Sequence, residues 1–391
     1  MTPSKYLLSS ILLSTALICS AEGWVGSWAC APQKAGNNDL PHGKELTNSS
    51  VRQVVHLSIA GDSLRLRLSN EHSEAPLEIK SVYVANTNGG AEIDRNSITQ
   101  LTFTGNSETN IPWGGTIISD PVAFKTTPLQ LLSITINYGS VPESPTIHGG
   151  SRTTSYILPN AADANADYSN GQKELHWYSI CGIDVWRKDS PKCIAALGNS
   201  ITDGRGTTND KQNRWTDILA ENYNGTVAVL NLGIGGNCVV RGGIGPTGKS
   251  RYASDILGQS GVTHVIVFEG INDIGSRSAS PQTVDNLIKA YRSFIRKAHK
   301  NGLRIYGATI TPMKGSGHYS PEREALRQQL NKWILTSGEF DGVLDINSVV
   351  ANPDDPEELN PKYQFDTLHP NAECYKLIGD YIAKELHSEF K

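Results

Sequence analysis

The sequence has no surplus of positive charge. Its 391 residues carry 35 Lys+Arg against 39 Asp+Glu, a net charge of −4. A protein that grips phosphate backbones needs basic residues in excess, so nucleic acid is excluded as a partner. Beyond the first twenty residues no stretch reaches 18 uninterrupted apolar residues, and no transmembrane segment is expected. Cys-x-x-Cys and His-Glu-x-x-His are both missing, so a zinc site is not expected, and no metal or other cofactor is called for. Tandem repeats and low-complexity tracts are absent too. What is present, 38% hydrophobic and 19% charged residues with 37 glycines, describes a soluble globular protein and excludes disorder. The length is enough for two domains.

Residues 1–21 have the pattern of an export signal: Lys5 supplies a positive start, Tyr6 to Ile18 a short apolar run, and Ser20 or Ala21 a small residue before the cut. The protein is therefore expected to be exported, to the periplasm or beyond. Cys19 raises the alternative of a lipid anchor, but Ile18 stands where that processing needs a small residue, so soluble export is favoured. Removing the leader leaves Cys30, Cys181, Cys193, Cys238 and Cys374, an odd number in an oxidising compartment, so at least one stays unpaired within the chain. Cys181 and Cys193 flank a short strand–turn segment and are the expected bridge, with burial as small apolar residues the competing reading.

Two periodicities divide the rest. From Trp24 to about Trp186, short apolar stretches alternate with turn residues: Gln53–Ile59, Ser63–Leu68, Ile79–Ala85, Ile98–Phe103 and Leu129–Tyr138. Leu64-Arg-Leu-Arg-Leu68 has the period of two of a strand with one wet face. An all-β, sandwich-like domain over 22–188 is expected. After Lys192 the pattern becomes strand, helix, strand. Cys193–Leu197, Val227–Leu232, Val262–Phe268, Leu303–Thr309 and Val343–Ile346 suit strands buried on both faces of a parallel sheet. Thr283–Asn301 places apolar residues three and four apart, with Gly302 just past the end. Pro321–Thr336 and Ala372–Leu386 are further expected helices. Residues 189–391 thus read as an α/β domain, a three-layer doubly wound parallel sheet whose ligands meet the carboxyl ends of the strands.

Chemistry gathers at those ends. Gly198-Asn-Ser-Ile-Thr-Asp-Gly204 follows the first parallel strand and presents Ser200 beside free backbone N–H groups; it is not the Gly-x-Ser-x-Gly elbow, because position 202 is Thr. Taken alone, such a serine is a helix N-cap more often than a nucleophile. Asp366-Thr-Leu-His369 precedes the last helix. A serine hydroxyl attacks well only when an imidazole accepts its proton and a carboxylate steadies that imidazole, which Asp366 and His369 could provide on one turn. Asn231-Leu-Gly-Ile-Gly-Gly-Asn237 leaves the second strand through a glycine-rich turn able to aim N–H groups at an anion, and Gly270-Ile-Asn-Asp273 leaves the third with an amide side chain. Together with the Ser200 N–H these would make an oxyanion hole.

These four blocks, in this order, resemble the GDSL-type esterases and lipases, the SGNH hydrolases, over roughly Lys192 to Leu386. Trp24-Val-Gly-Ser-Trp28 and the β-rich half behind it look like the N-terminal domain of a secreted bacterial subgroup. The resemblance implies a flavodoxin-like catalytic fold and an ester hydrolase with Ser200 as nucleophile, His369 as base and Asp366 as its partner. It also implies Ser200, Gly236 and Asn272 as oxyanion-hole donors; Gly236 is preferred to Gly235 because the family's glycine stands five residues after the asparagine, here Asn231. Asn199 departs from the family's Asp, which should tune the turn without abolishing activity. The acyl group is expected to be acetyl and the alcohol a polysaccharide, with a lipase or arylesterase, or a non-catalytic glycan-binding protein, as alternatives. Activity is expected to fall below about pH 6.5, the ordinary range of a histidine base. Oligomeric state is not legible.

Several features take the plainer reading. Gly243-Ile-Gly-Pro-Thr-Gly-Lys-Ser250 satisfies a phosphate-loop pattern but lacks a strand directly before it. His42, His56, His72, His148, His176, His264, His299, His318 and His387 show no ligand spacing and are assigned to the surface or to local bonding. Trp113, Trp177 and Trp215 are assigned to the core rather than to sugar stacking, and Arg241 and Arg251 to solvent.

Overall fold

The structure, a computed structural model, describes residues 23–41, 46–160 and 163–390. The leader with Cys19, and His42, lie outside these residues. The first half is antiparallel. Its main strands are β1 (Gly23–Ala29), β2 (Ser49–His56), β3 (Ser63–Ser69), β4 (Leu77–Asn86), β5 (Leu131–Tyr138), β6 (Ser155–Pro159) and β7 (Ile180–Arg187). One sheet runs β1-β7-β3 and is extended by Thr116–Ile118; the other runs β6-β2-β5-β4, with Gln172–Glu174 and Thr99–Leu101 at its edges. On β3, Leu64, Leu66 and Leu68 are buried while Arg65 and Arg67 between them are partly exposed, as the period of two requires. They join Leu132, Ile134 and Ile136 of β5 in one apolar core. β2 starts four residues before the expected Gln53, because its polar opening is buried and satisfied. Arg52 donates to Thr135 Oγ1 (3.1 Å) and Ala91 O (2.7 Å) and stacks 3.9 Å over the Tyr168 ring.

The second half is a parallel sheet of β8 (Lys192–Gly198), β9 (Val227–Gly233), β10 (His264–Phe268), β11 (Arg304–Ala308) and β12 (Gly342–Leu344) in the order β9-β8-β10-β11-β12. The chain moves one way from β8 to β9 and the other way from β10 onward, so the crevice beside β8 and β10 is the topological switch point. The helices are α1 (Ser200–Asp203), α2 (Trp215–Tyr223), α3 (Pro281–Lys300), α4 (Pro321–Thr336) and α5 (Ala372–Glu385). α2 packs on α5, and α3 on α4. α3 begins before the expected Thr283: Ser280 and Thr283 form a capping box and Pro281 occupies the first turn, where its missing N–H costs nothing. Its buried stripe includes Val284, Leu287, Tyr291, Phe294 and Ile295.

The halves share one core. β1 packs on β9, Gly26 N–H donates to Ser260 O (2.9 Å), and Val229 N–H donates to Ser58 Oγ (3.1 Å). The expected Cys181–Cys193 bridge is not formed, for Cys30, Cys181, Cys193, Cys238 and Cys374 are buried and unpaired among the described residues. Cys193 sits in the middle layer on β8, while Cys181 lies on β7 with its thiol near Arg67 O (3.5 Å). Burial pushes the Cys181, Cys238 and Cys374 thiols up to about 12. Among the described residues no helix is long and apolar enough to cross a membrane.

Candidate active site

β8 runs straight into the turn that carries Ser200. Asn199, not Ser200, is the N-cap: its Oδ1 accepts the Ile201 N–H (3.0 Å), and Ser200 is the first residue of α1, a single turn ended by Gly204 in the left-handed region (φ 97°). An amide oxygen caps as a carboxylate does, so the departure from Asp at 199 keeps the turn. The Ser200 N–H belongs to the unbonded first turn and has no acceptor among the described residues.

Ser200 Oγ lies 2.8 Å from His369 Nε2, and His369 Nδ1 lies 2.8 and 3.0 Å from the two Asp366 oxygens. A carboxylate at Nδ1 takes the ring hydrogen there, which leaves Nε2 bare toward the hydroxyl. Asp366 and His369 face each other in a small hairpin, Gln364–Asp366 against His369–Pro370, where Asp366 Oδ1 also accepts the His369 N–H (2.9 Å) and the Leu368 N–H (3.2 Å). Burial opposes the Asp366 charge, but the His369 backbone N–H and imidazole outweigh it and hold the carboxyl below its usual range. For His369 burial wins over the Asp366 attraction, and Arg205 and Arg152 push the same way, so the imidazole stays neutral to lower pH than an ordinary histidine.

Gly236 lies in the turn after β9 with φ 71°; its carbonyl accepts the Ile244 N–H (3.0 Å), and its own N–H has no acceptor among the described residues. Asn272 is on the short helix Ile271–Gly275 after β10; its Nδ2 donates to Asn237 O (2.7 Å) and its Oδ1 faces His318 Nε2 (3.1 Å). Asn231 acts elsewhere, through an amide that donates to Thr202 O (2.6 Å) and Thr216 Oγ1 (2.9 Å) and so ties β9 to α1 and α2. Ser200, Gly236, Asn272 and His369 line one cavity of about 440 Å³, and a neighbouring cleft of about 610 Å³ shares Gly236, Asn272 and His318 with it. The five residues singled out in the sequence are thus brought together, Asp366 from behind His369.

Several residues around the nucleophile turn were assigned otherwise or not at all. Asp203, inside the Ser200 block, is fully buried; its Oδ1 lies 2.9 Å from His148 Nε2, and its Oδ2 accepts Arg152 Nη2 (3.1 Å). His148 and Arg152 come from the antiparallel half, and a Cβ on Gly150 beside them would fall 2.0 Å from Asp203 Oδ2, so glycine is required there. Asp203 stood within a recognised motif; nothing in the linear pattern linked it to residues some 50 positions upstream. His148 is buried rather than superficial; His264 is buried with the local bond expected, its Nδ1 lying 2.7 Å from Thr263 Oγ1, and burial takes it down to about 4. Arg251 is also buried: it bonds Leu232 O (2.6 Å), Gly198 O (2.9 Å) and Asp255 (3.0 Å), stitching together the ends of β8 and β9. Arg241 lines the larger cleft. Trp177 and Trp215 are in the core, but Trp113 is 69% exposed. Gly243–Ser250 joins a loop to the short helix Gly248–Arg251, without the preceding strand that a phosphate loop needs.

A serine, an imidazole, a carboxylate and unclaimed N–H groups meet at one cavity, an arrangement suited to acyl transfer, and the class is that of the carboxylic ester hydrolases. Residues 196–377 match the GDSL-like lipase/acylhydrolase family. No curated protein matches the chain. Solved structures similar to it include a GDSL-like lipase from Bacteroides thetaiotaomicron (18% identity, 52% of this chain and 91% of that one, TM-score 0.40). Others are a carbohydrate acetylesterase from Sinorhizobium meliloti (14%, 51% and 99%, 0.41) and an aryl esterase from M. smegmatis (15%, 50% and 99%, 0.40).

Proposed function

We propose that the chain is an exported serine esterase that removes acetyl groups from a polysaccharide through Ser200, His369 and Asp366. The observation that carries the reading is the continuous hydrogen-bonded path from Asp366 through His369 to the Ser200 hydroxyl at the mouth of a cavity. Ser200 Oγ attacks the acyl carbonyl while His369 Nε2 takes its proton. The tetrahedral oxyanion rests on the N–H groups of Ser200 and Gly236 and the Asn272 amide. His369 then protonates the leaving alcohol, and water, deprotonated by the same imidazole, releases acetate and restores the serine.

The neighbouring cleft supports a sugar as the alcohol. Ser276, Ser278, Ser280, Gln282 and Asn286 line it with hydroxyl and amide groups, which match a polyhydroxylated ligand better than an alkyl chain. Export is supported by the leader-like residues 1–21 alone. Acetate release from a panel of acetylated glycans, by wild type and Ser200→Ala side by side, tests the reading. Release by wild type only is expected. A steep preference for long acyl chains on p-nitrophenyl esters would make the enzyme a lipase, and failure of an organophosphonate to label Ser200 would make it a binding protein.

A further inference from the structure

The Asn272 amide can serve the oxyanion in only one of its two flipped orientations. Its neighbour Asn237 O, a carbonyl at 2.7 Å, can only accept, so the atom facing it must be Nδ2. That leaves one Nδ2 hydrogen with no protein acceptor among the described residues and turns Oδ1 toward His318 Nε2, at 3.1 Å. Because Oδ1 can only accept, the hydrogen of that contact sits on His318 Nε2. We infer that His318 is a positioning residue of the oxyanion hole, holding the Asn272 amide so that its free N–H meets the developing oxyanion. This rests on the reading of Asn272 given above.

The way His318 is held supports that role. Its side chain packs against Gly275 of the short Asn272 helix: a Cβ there would come 1.9 Å from His318 Cδ2, so only glycine leaves room for it. Arg323 at the start of α4 binds the two pieces to each other, donating to Gly275 O (2.8 Å) on one side and to Gly317 O (3.3 Å) and Tyr319 O (2.8 Å) on the other. The His318 backbone N–H donates to Ser316 Oγ (3.2 Å). Burial first, then His369 and Arg323, holds the His318 pKa below its ordinary value, which keeps a second cation away from the base.

His318 is part of both cavity walls, so a direct substrate contact is the alternative that the experiment must separate. Steady-state kinetics on p-nitrophenyl acetate with the full-length enzyme are measured for His318→Phe, His318→Gln, Asn272→Ala and the double variant His318→Phe/Asn272→Ala. His318→Phe is expected to lose about tenfold in kcat, the worth of one hydrogen bond to the amide, with KM within about twofold. His318→Gln, whose amide N–H can replace Nε2–H, is expected to recover most of that. In the Asn272→Ala background the Phe change should cost nothing further. Gly275→Ala, which leaves the imidazole intact but displaces it, should repeat the loss and serves if His318→Phe does not fold. Full activity of His318→Phe, or a loss that adds undiminished to that of Asn272→Ala, overturns the inference while the hole stands. An Asn272→Ala enzyme as fast as wild type overturns the reading of the hole itself.

Discussion

Arg52 and Ser200 are polar residues on or just after buried strands, one in each half of the molecule, and their surroundings differ. The Arg52 guanidinium is spent on Thr135, Ala91 and Ala164 and covered by the Tyr168 ring. Among the described residues Ser200 Oγ has one partner, His369, and faces a cavity, with its own N–H left over. Saturated polar groups are structure; unsaturated ones held open beside a cavity are available for chemistry. The same contrast holds between the halves. The parallel sheet brings Ser200, Gly236 and Asn272 to the carboxyl ends of three neighbouring strands. The antiparallel half holds the end of the Ser200 turn, through His148 and Arg152 on Asp203, and lines the same cavity with Gln33, Gly150 and Arg152.

If the chemistry belongs to the parallel half alone, Ser200→Ala and His369→Ala should each lower kcat by about 10⁴–10⁶ while leaving the thermal transition near that of wild type. A loss under tenfold for either would end the division of labour. Asn272→Ala should cost about 10²–10³ in kcat, measured on the same ester. The grip of the antiparallel half is tested by Asp203→Asn. Removing one partner from a buried charged cluster should destabilise the fold by about 3–5 kcal/mol in urea unfolding. It should also lower kcat, because α1 loses the side chain that fixes its last residue. An unchanged midpoint would mean that the His148–Asp203–Arg152 cluster adds nothing to the hold of one half on the other.

The smallest effect is the most discriminating. Because His369 is held below its ordinary pKa, it is the neutral base down to that lowered value, and kcat/KM should fall only as pH drops through it, with the acid limb lying below 6.5. Arg152 contributes to that depression from the antiparallel half, so Arg152→Ala should move the limb back toward 6.5. A limb above 6.5 in wild type, or one indifferent to Arg152, would remove the antiparallel half from the electrostatics of the base.

Much of the parallel half was legible. Pro321–Thr336 was read to the residue and the five strands to within one residue at either end, apart from Val262 and Ile346, each two residues out, because strands buried on both faces write themselves as unbroken apolar runs. Ile346 was read as strand yet opens a short helix capped by Asp345, whose side chain accepts from Ser348 N–H. The polar start of β2 was missed because Ser50 and Arg52 break the apolar pattern while being buried, a contradiction that only their distant partners resolve. His148, His318 and Arg251 were misread for the same reason. A titratable side chain looks solvated until the groups that replace its water are in view.

The order of blocks around Ser200, Gly236, Asn272 and His369 determined where reacting groups would converge, since a doubly wound sheet delivers the residue after each strand to one edge and motif spacing is a local property. Which way the Asn272 amide faces, how far the His369 base is shifted, and what steadies Asp203 were decided by tertiary structure. Each of these depends on desolvation and on contacts between residues tens to hundreds of positions apart, and neither quantity exists along an unfolded chain.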